Sequence, residues 1–124
     1  MGYESKLYVV EKSSYDNIND EGMRYCQVIA MFDLCKFYPL SMLLSDYPTT
    51  ECYFYADDGN TRVLEDMYGE PMREIPIEDV IDILAGDLER GSNYRRIYPT
   101  LAALEALNEH RDQWKELTVL HYGY

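Results

Sequence analysis

A chain of 124 residues with 47% hydrophobic side chains is one domain by size and can bury a core without metal or disulfide support. Its 23 acidic and 11 basic side chains leave a net charge of −12, which argues against direct nucleic-acid binding, since phosphate contacts depend on clustered Lys and Arg. No apolar run approaches the length of a membrane span and no secretory signal opens the chain, so the expected location is the cytoplasm of whatever cell makes the protein.

Taken in order, Lys6 to Lys12 alternates as a strand. The polar stretch from Ser13 to Gly22, with Asp16, Asn17, Asn19 and Asp20, has the residues of a long connection. Tyr25 to Leu34 is the most apolar run and predicts a central strand buried on both faces. Between Pro39 and Pro48, the residues Leu40, Leu43, Leu44 and Tyr47 fall at helical spacing and predict a short helix.

Glu51 to Asp66 reads as a β-hairpin, because Asp58-Gly59 suits a tight primed turn between aromatic and β-branched flanks. Alternation puts Cys52, Phe54 and Ala56 on one face and Tyr53, Tyr55 and Asp57 on the other, and a two-residue turn sets Phe54 opposite Val63. Met67 to Pro76, with Gly69 and Pro71, reads as a loop. Pro76 opens a helix with Ile77, Val80, Ile81, Leu84 and Leu88 as its apolar stripe and Glu78 and Asp79 at its positive end; Gly86 weakens its last turns and Gly91 ends them. A second helix has Pro99 in its first turn, carries Leu101, Leu104, Leu107 and Arg111, and reaches Trp114. Leu117 to Tyr122 predicts a final strand tied into a sheet. The expected fold is a single α+β domain over residues 1–124, a mostly antiparallel sheet of four to five strands packed with two main helices plus the short helix.

The charge is unevenly distributed. Residues 51–93 hold 12 acids and 3 bases, a net of −9, while residues 94–124 are balanced. If the hairpin, the loop after it and the first long helix pack as neighbours, Asp57, Asp58, Glu65, Asp66, Glu70, Glu78, Asp79 and Asp82 join Tyr53, Tyr55 and Tyr68 on one acidic, tyrosine-bearing surface. That surface fits a protein with a basic groove. A solvated helix face with turn carboxylates accounts for the same residues.

No motif points to catalysis, a cofactor or a metal. Tyr55-Ala56-Asp57-Asp58 matches the tetrapeptide that reverse transcriptases use to hold two metal ions, but the chain is too short and too acidic for a polymerase palm, and turn chemistry explains Asp-Asp-Gly-Asn. The same run lacks the alternating ligands and distal Glu of an EF-hand. Cys26, Cys35 and Cys52 are odd in number and form no Cys-x-x-Cys pair, which suggests reduced, mostly buried thiols. A Cys–His pair using His110 or His121 needs tertiary contact to exist. Arg95 and Arg96 are expected to pair with acids of the preceding helix, and Trp114 to pack in the core.

Five phrases together carry a resemblance: Met1-Gly2-Tyr3-Glu4-Ser5-Lys6, Ala30-Met31-Phe32-Asp33-Leu34, Ala56-Asp57-Asp58-Gly59-Asn60-Thr61, Tyr68-Gly69-Glu70-Pro71 and Leu120-His121-Tyr122-Gly123-Tyr124. Across most of its length the chain resembles small acidic proteins encoded by phages and prophages of Gram-positive bacteria. The resemblance brings no active site. It implies a setting in which such proteins include anti-CRISPR inhibitors that occupy the positively charged channel of a CRISPR effector nuclease. A phage accessory or structural protein, and a small enzyme with a Cys, His and carboxylate site, are the alternative expectations.

Overall fold

Alternating β-branched and aromatic residues in the first third of the chain build two long strands, and every later strand is added to them. The computed structural model describes residues 5–12, 24–35, 46–55, 62–63, 71–91 and 95–123. These form β1 (Ser5–Lys12), β2 (Arg24–Cys35), β3 (Cys52–Tyr55), β4 (Arg62–Val63), β5 (Arg73–Ile75), helix α1 (Ile77–Glu89), helix α2 (Ile97–Glu109), a 3-10 turn (Arg111–Gln113) and β6 (Leu117–Gly123). The class is α+β, with two α-helices among the described residues and a mixed, mostly antiparallel sheet in the order β4-β3-β2-β1-β6-β5. The β2–β3 pair is parallel and the other pairs are antiparallel.

The sheet curls back on itself. Thr49, just before β3, bridges to Arg73 of β5, the Thr50 amide donates to the Met72 carbonyl at 2.8 Å, and the Glu74 amide donates to the Pro48 carbonyl at 2.9 Å. Curling gives the sheet two apolar sides. The enclosed side gathers Val10, Cys26, Cys52, Phe54, Met72 and Leu120, whereas Leu7, Val9, Leu34, Ile75 and Val119 face α1 and α2.

One extra residue lets β2 serve both sides. Val10 pairs with Val28 but Val9 pairs with Ala30, so Ile29 is a β-bulge. Before it, Arg24, Cys26 and Val28 share a face, and Cys26 and Val28 pack in the enclosed core; after it, Ala30, Phe32 and Leu34 face the helices. This accounts for the unbroken apolar run. It also corrects the expectation of a strand buried on both faces, since Tyr25, Gln27 and Met31 are exposed.

The hairpin has the expected register, with Phe54 opposite Val63; its turn and the short helix expected after Pro39 lie outside the described residues. The expected loop before Pro76 contains β5, three residues between prolines that pair with β6. Too short to show a pattern, β5 is extended because β6 offers it partners.

In α1, Ile77, Val80 and Leu84 are buried, and Pro76 is the capping residue rather than the first helical one, accepting from the Asp79 and Val80 amides at 3.0 and 3.2 Å. Gly91, at a φ of 89°, follows the helix end. Helix α2 stops at Glu109 and does not reach Trp114. The reason is reach: Leu117 must already lie opposite Glu11 on β1, so the chain leaves the helix at His110 and tightens into a 3-10 turn. Trp114 is half-buried. The Arg96 Nη1 group donates to the Asp33 carbonyl of β2 at 2.8 Å and lies 3.9 Å from its carboxylate, not against an acid of α1.

Candidate functional site

Three clusters stand out around the β2–β3 edge of the sheet. The first is aromatic. Tyr25 of β2 and Tyr53 and Tyr55 of β3 form a triangle with ring centroids 5.8 to 5.9 Å apart. Alternation turns these rings away from Cys26, Cys52 and Phe54, and edge-to-face contacts among them add to their packing. Tyr53 is buried, but Tyr25 and Tyr55 are 38% and 43% exposed. Glu51, also exposed, precedes β3.

The second cluster closes one end of the enclosed core with charge. The Lys12 ammonium forms an ion pair with Glu74 and lies 3.9 Å from Glu51. Glu74 also accepts from the Thr50 hydroxyl at 3.1 Å. Arg24, almost fully buried, reaches Glu51 at 3.4 Å and Glu116 at 3.3 Å. Burial alone would push the Lys12 ammonium down, but the hydrogen bond and the charge of Glu74 outweigh it and hold the group above its ordinary value.

Cys26 and Cys52 lie next to this charged end, both free and buried. The Cys26 thiol donates to the Tyr53 carbonyl at 3.2 Å, so its sulfur leans across onto β3. The Thr50 hydroxyl accepts from the Cys52 amide at 3.0 Å. The two thiols respond in opposite directions. The neighbouring thiol and burial push Cys26 up, whereas the Cys26 thiol, the Thr50 hydroxyl and the Lys12 charge pull Cys52 down against the cost of burial.

At the other end, a half-open cleft of about 410 Å³ runs between Tyr8, Phe54, Tyr55 and Tyr122. Tyr8 stacks on Phe54 with centroids 4.8 Å apart and meets Tyr122 edge-on at 5.9 Å. Through Phe54 the cleft adjoins the core that holds both cysteines.

His121 belongs to none of these. It shares the helix-facing side of β6 with Val119 and sits opposite Leu7. Its Nε2 is 2.7 Å from the Ser5 hydroxyl, and burial pushes the imidazole down to about 4. The cysteines are on the enclosed side, so the strand alternation separates His121 from both described thiols. His110 is exposed at the end of α2. Among the described residues no group of His, Cys, Asp and Glu is arranged to hold a metal ion.

The acidic residues expected at the surface are distributed as follows. Asp57, Asp58, Glu65, Asp66, Tyr68 and Glu70 lie outside the described residues. Glu78 and Asp82 are exposed on α1, with Glu78 paired to Arg111. Asp79 is half-buried and accepts from the Tyr47 hydroxyl at 3.0 Å. Tyr53 and Tyr55 are on β3, toward the opposite edge of the sheet from β5, which leads into α1. Sequence reasoning missed Tyr25, whose place opposite Tyr53 depends on a parallel β2–β3 pairing, and it missed the charged cluster drawn from five parts of the chain. No helix among the described residues is long and apolar enough to cross a membrane. No protein-family model matches this chain, and neither a curated protein nor a solved structure matches it.

Proposed function

We propose that the protein is a non-enzymatic binding protein that inhibits a basic, nucleic-acid-handling enzyme of its host by covering that enzyme's positive groove. The observation that carries this reading is the Tyr25–Tyr53–Tyr55 triangle, of which Tyr25 and Tyr55 are exposed, with Glu51 before β3, in a chain of net charge −12. Tyrosine brings contact area at low entropic cost. Acidic groups steer a basic partner and discriminate against neutral ones. In its most concrete form, the phage setting implied by the sequence resemblance makes the target a CRISPR effector nuclease. The separation of His121 from the two described thiols favours this binding role over Cys–His catalysis.

The test is capture of partners from a host lysate followed by a plasmid-cleavage assay. A captured nuclease and lost cleavage are the expected outcome; neither capture nor inhibition would reject the inhibitor role. Within such a complex, the double change of Tyr25 and Tyr55 to Ala should weaken affinity at least about tenfold, as loss of an aromatic anchor does, with the thermal midpoint nearly unchanged. Unaltered affinity would remove the triangle from the interface.

A further inference from the structure

We propose that Cys26 and Cys52 form a redox-reactive pair that closes to an intramolecular disulfide in the presence of a peroxide. The register places them together: Arg24 pairs with Cys52 on the parallel β2–β3 ladder, so Cys26 is one same-face step further along β2. Both side chains pack in the enclosed core. The 3.2 Å hydrogen bond from the Cys26 thiol to the carbonyl of Tyr53, the residue after Cys52, draws that sulfur across the strand gap.

The surroundings distinguish the two sulfurs. Cys52 is near the Lys12 ammonium, a charge that favours a thiolate, and its backbone amide is held by the Thr50 hydroxyl oxygen. Cys26 keeps its proton on the Tyr53 carbonyl. Cys52 is therefore the attacking group and Cys26 the resolving one. The Cys52 thiolate attacks one peroxide oxygen, the O–O bond breaks, and a sulfenic acid forms as hydroxide leaves. Cys26 sulfur then attacks the sulfenic sulfur, displacing its hydroxyl as hydroxide; the Cys26 thiol proton and one proton from solvent convert the two hydroxides to water. In total, two thiols and one peroxide give one disulfide and two waters, with the two electrons passing from sulfur to the O–O bond. The aromatic cleft adjoins this core through Phe54.

The experiment treats the full chain with hydrogen peroxide and maps the products by mass spectrometry with fragment-ion assignment, followed by dithiothreitol. The expected product is monomeric, has lost two hydrogens, carries a Cys26–Cys52 bridge and reverts on reduction. Its thermal midpoint should rise by about 5 °C or more, because the bridge closes a long loop of the unfolded chain. Dimedone should label Cys52 in the Cys26→Ser chain after peroxide, whereas Cys26 should stay unlabelled in the Cys52→Ser chain. Unmodified Cys26 and Cys52 in folded protein while Cys35 oxidises, a bridge to Cys35, or labelling of Cys26 in place of Cys52 would each overturn the proposal.

Discussion

His121 illustrates how a single residue couples the sheet to pH. Its imidazole is buried against Ser5 and titrates near 4, below its ordinary value of 6.5. Below 6.5 the unfolded chain takes up a proton that the folded chain refuses, so stability falls as pH drops from about 6.5 toward 4. Urea unfolding should show a loss of roughly 3 kcal/mol from this group between pH 7 and pH 4, and His121→Gln should flatten that part of the profile. Lys12 and Glu74 make the complementary case. Each is mostly buried and each is the other's main charge partner. Lys12→Met should cost about 3 kcal/mol in urea unfolding, because the mostly buried Glu74 is left without its ammonium, and the double change of Lys12 and Glu74 to Met should recover most of it. Neither role was legible in the sequence. Lys12 reads as the polar end of a strand and Glu74 as a loop residue, and their meeting depends on β1 and β5 flanking the same neighbour, β6.

Among the elements, β2 carries the most information per residue. A 12-residue strand of near-continuous apolar character ordinarily signals burial on both faces. Here the bulge at Ile29 achieves a different result, placing one half of the strand in the enclosed core and the other half under the helices. Deleting Ile29 should force a choice between the two cores, since a one-residue slip sends every later side chain to the other face. The expected outcome is loss of dispersed amide resonances in a heteronuclear NMR spectrum; a native-like spectrum would show that the bulge is dispensable. Helix α1 was readable, apart from Pro76 being its cap and not its first residue, because its stripe, proline start and glycine stop agree with one another. Helix α2 was overextended, because the helical spacing of Leu101, Leu104 and Leu107 continues through Arg111 to Trp114. What ends it is the position of β6, a tertiary demand with no local sign.

For the whole molecule, the α+β class followed from the order of strand-like and helix-like segments, and the faces of the hairpin followed from alternation alone, with Phe54 opposite Val63. The acidic surplus is also a property of the sequence and gives the molecule a negative field whatever the fold. How the acids and tyrosines are grouped is not such a property. Tyr25 joins Tyr53 and Tyr55 through a parallel pairing between segments separated by a long connection, and side-chain alternation cannot specify which distant strand becomes the neighbour. The same holds for the two thiols and for the charged end of the enclosed core. Except across the β2 bulge, local periodicity determined which face each residue takes within its own element; only closure of the curled sheet, through Thr49 and Arg73 and the β5–β6 pair, decided which faces meet, because that choice depends on the total area buried by all strands at once.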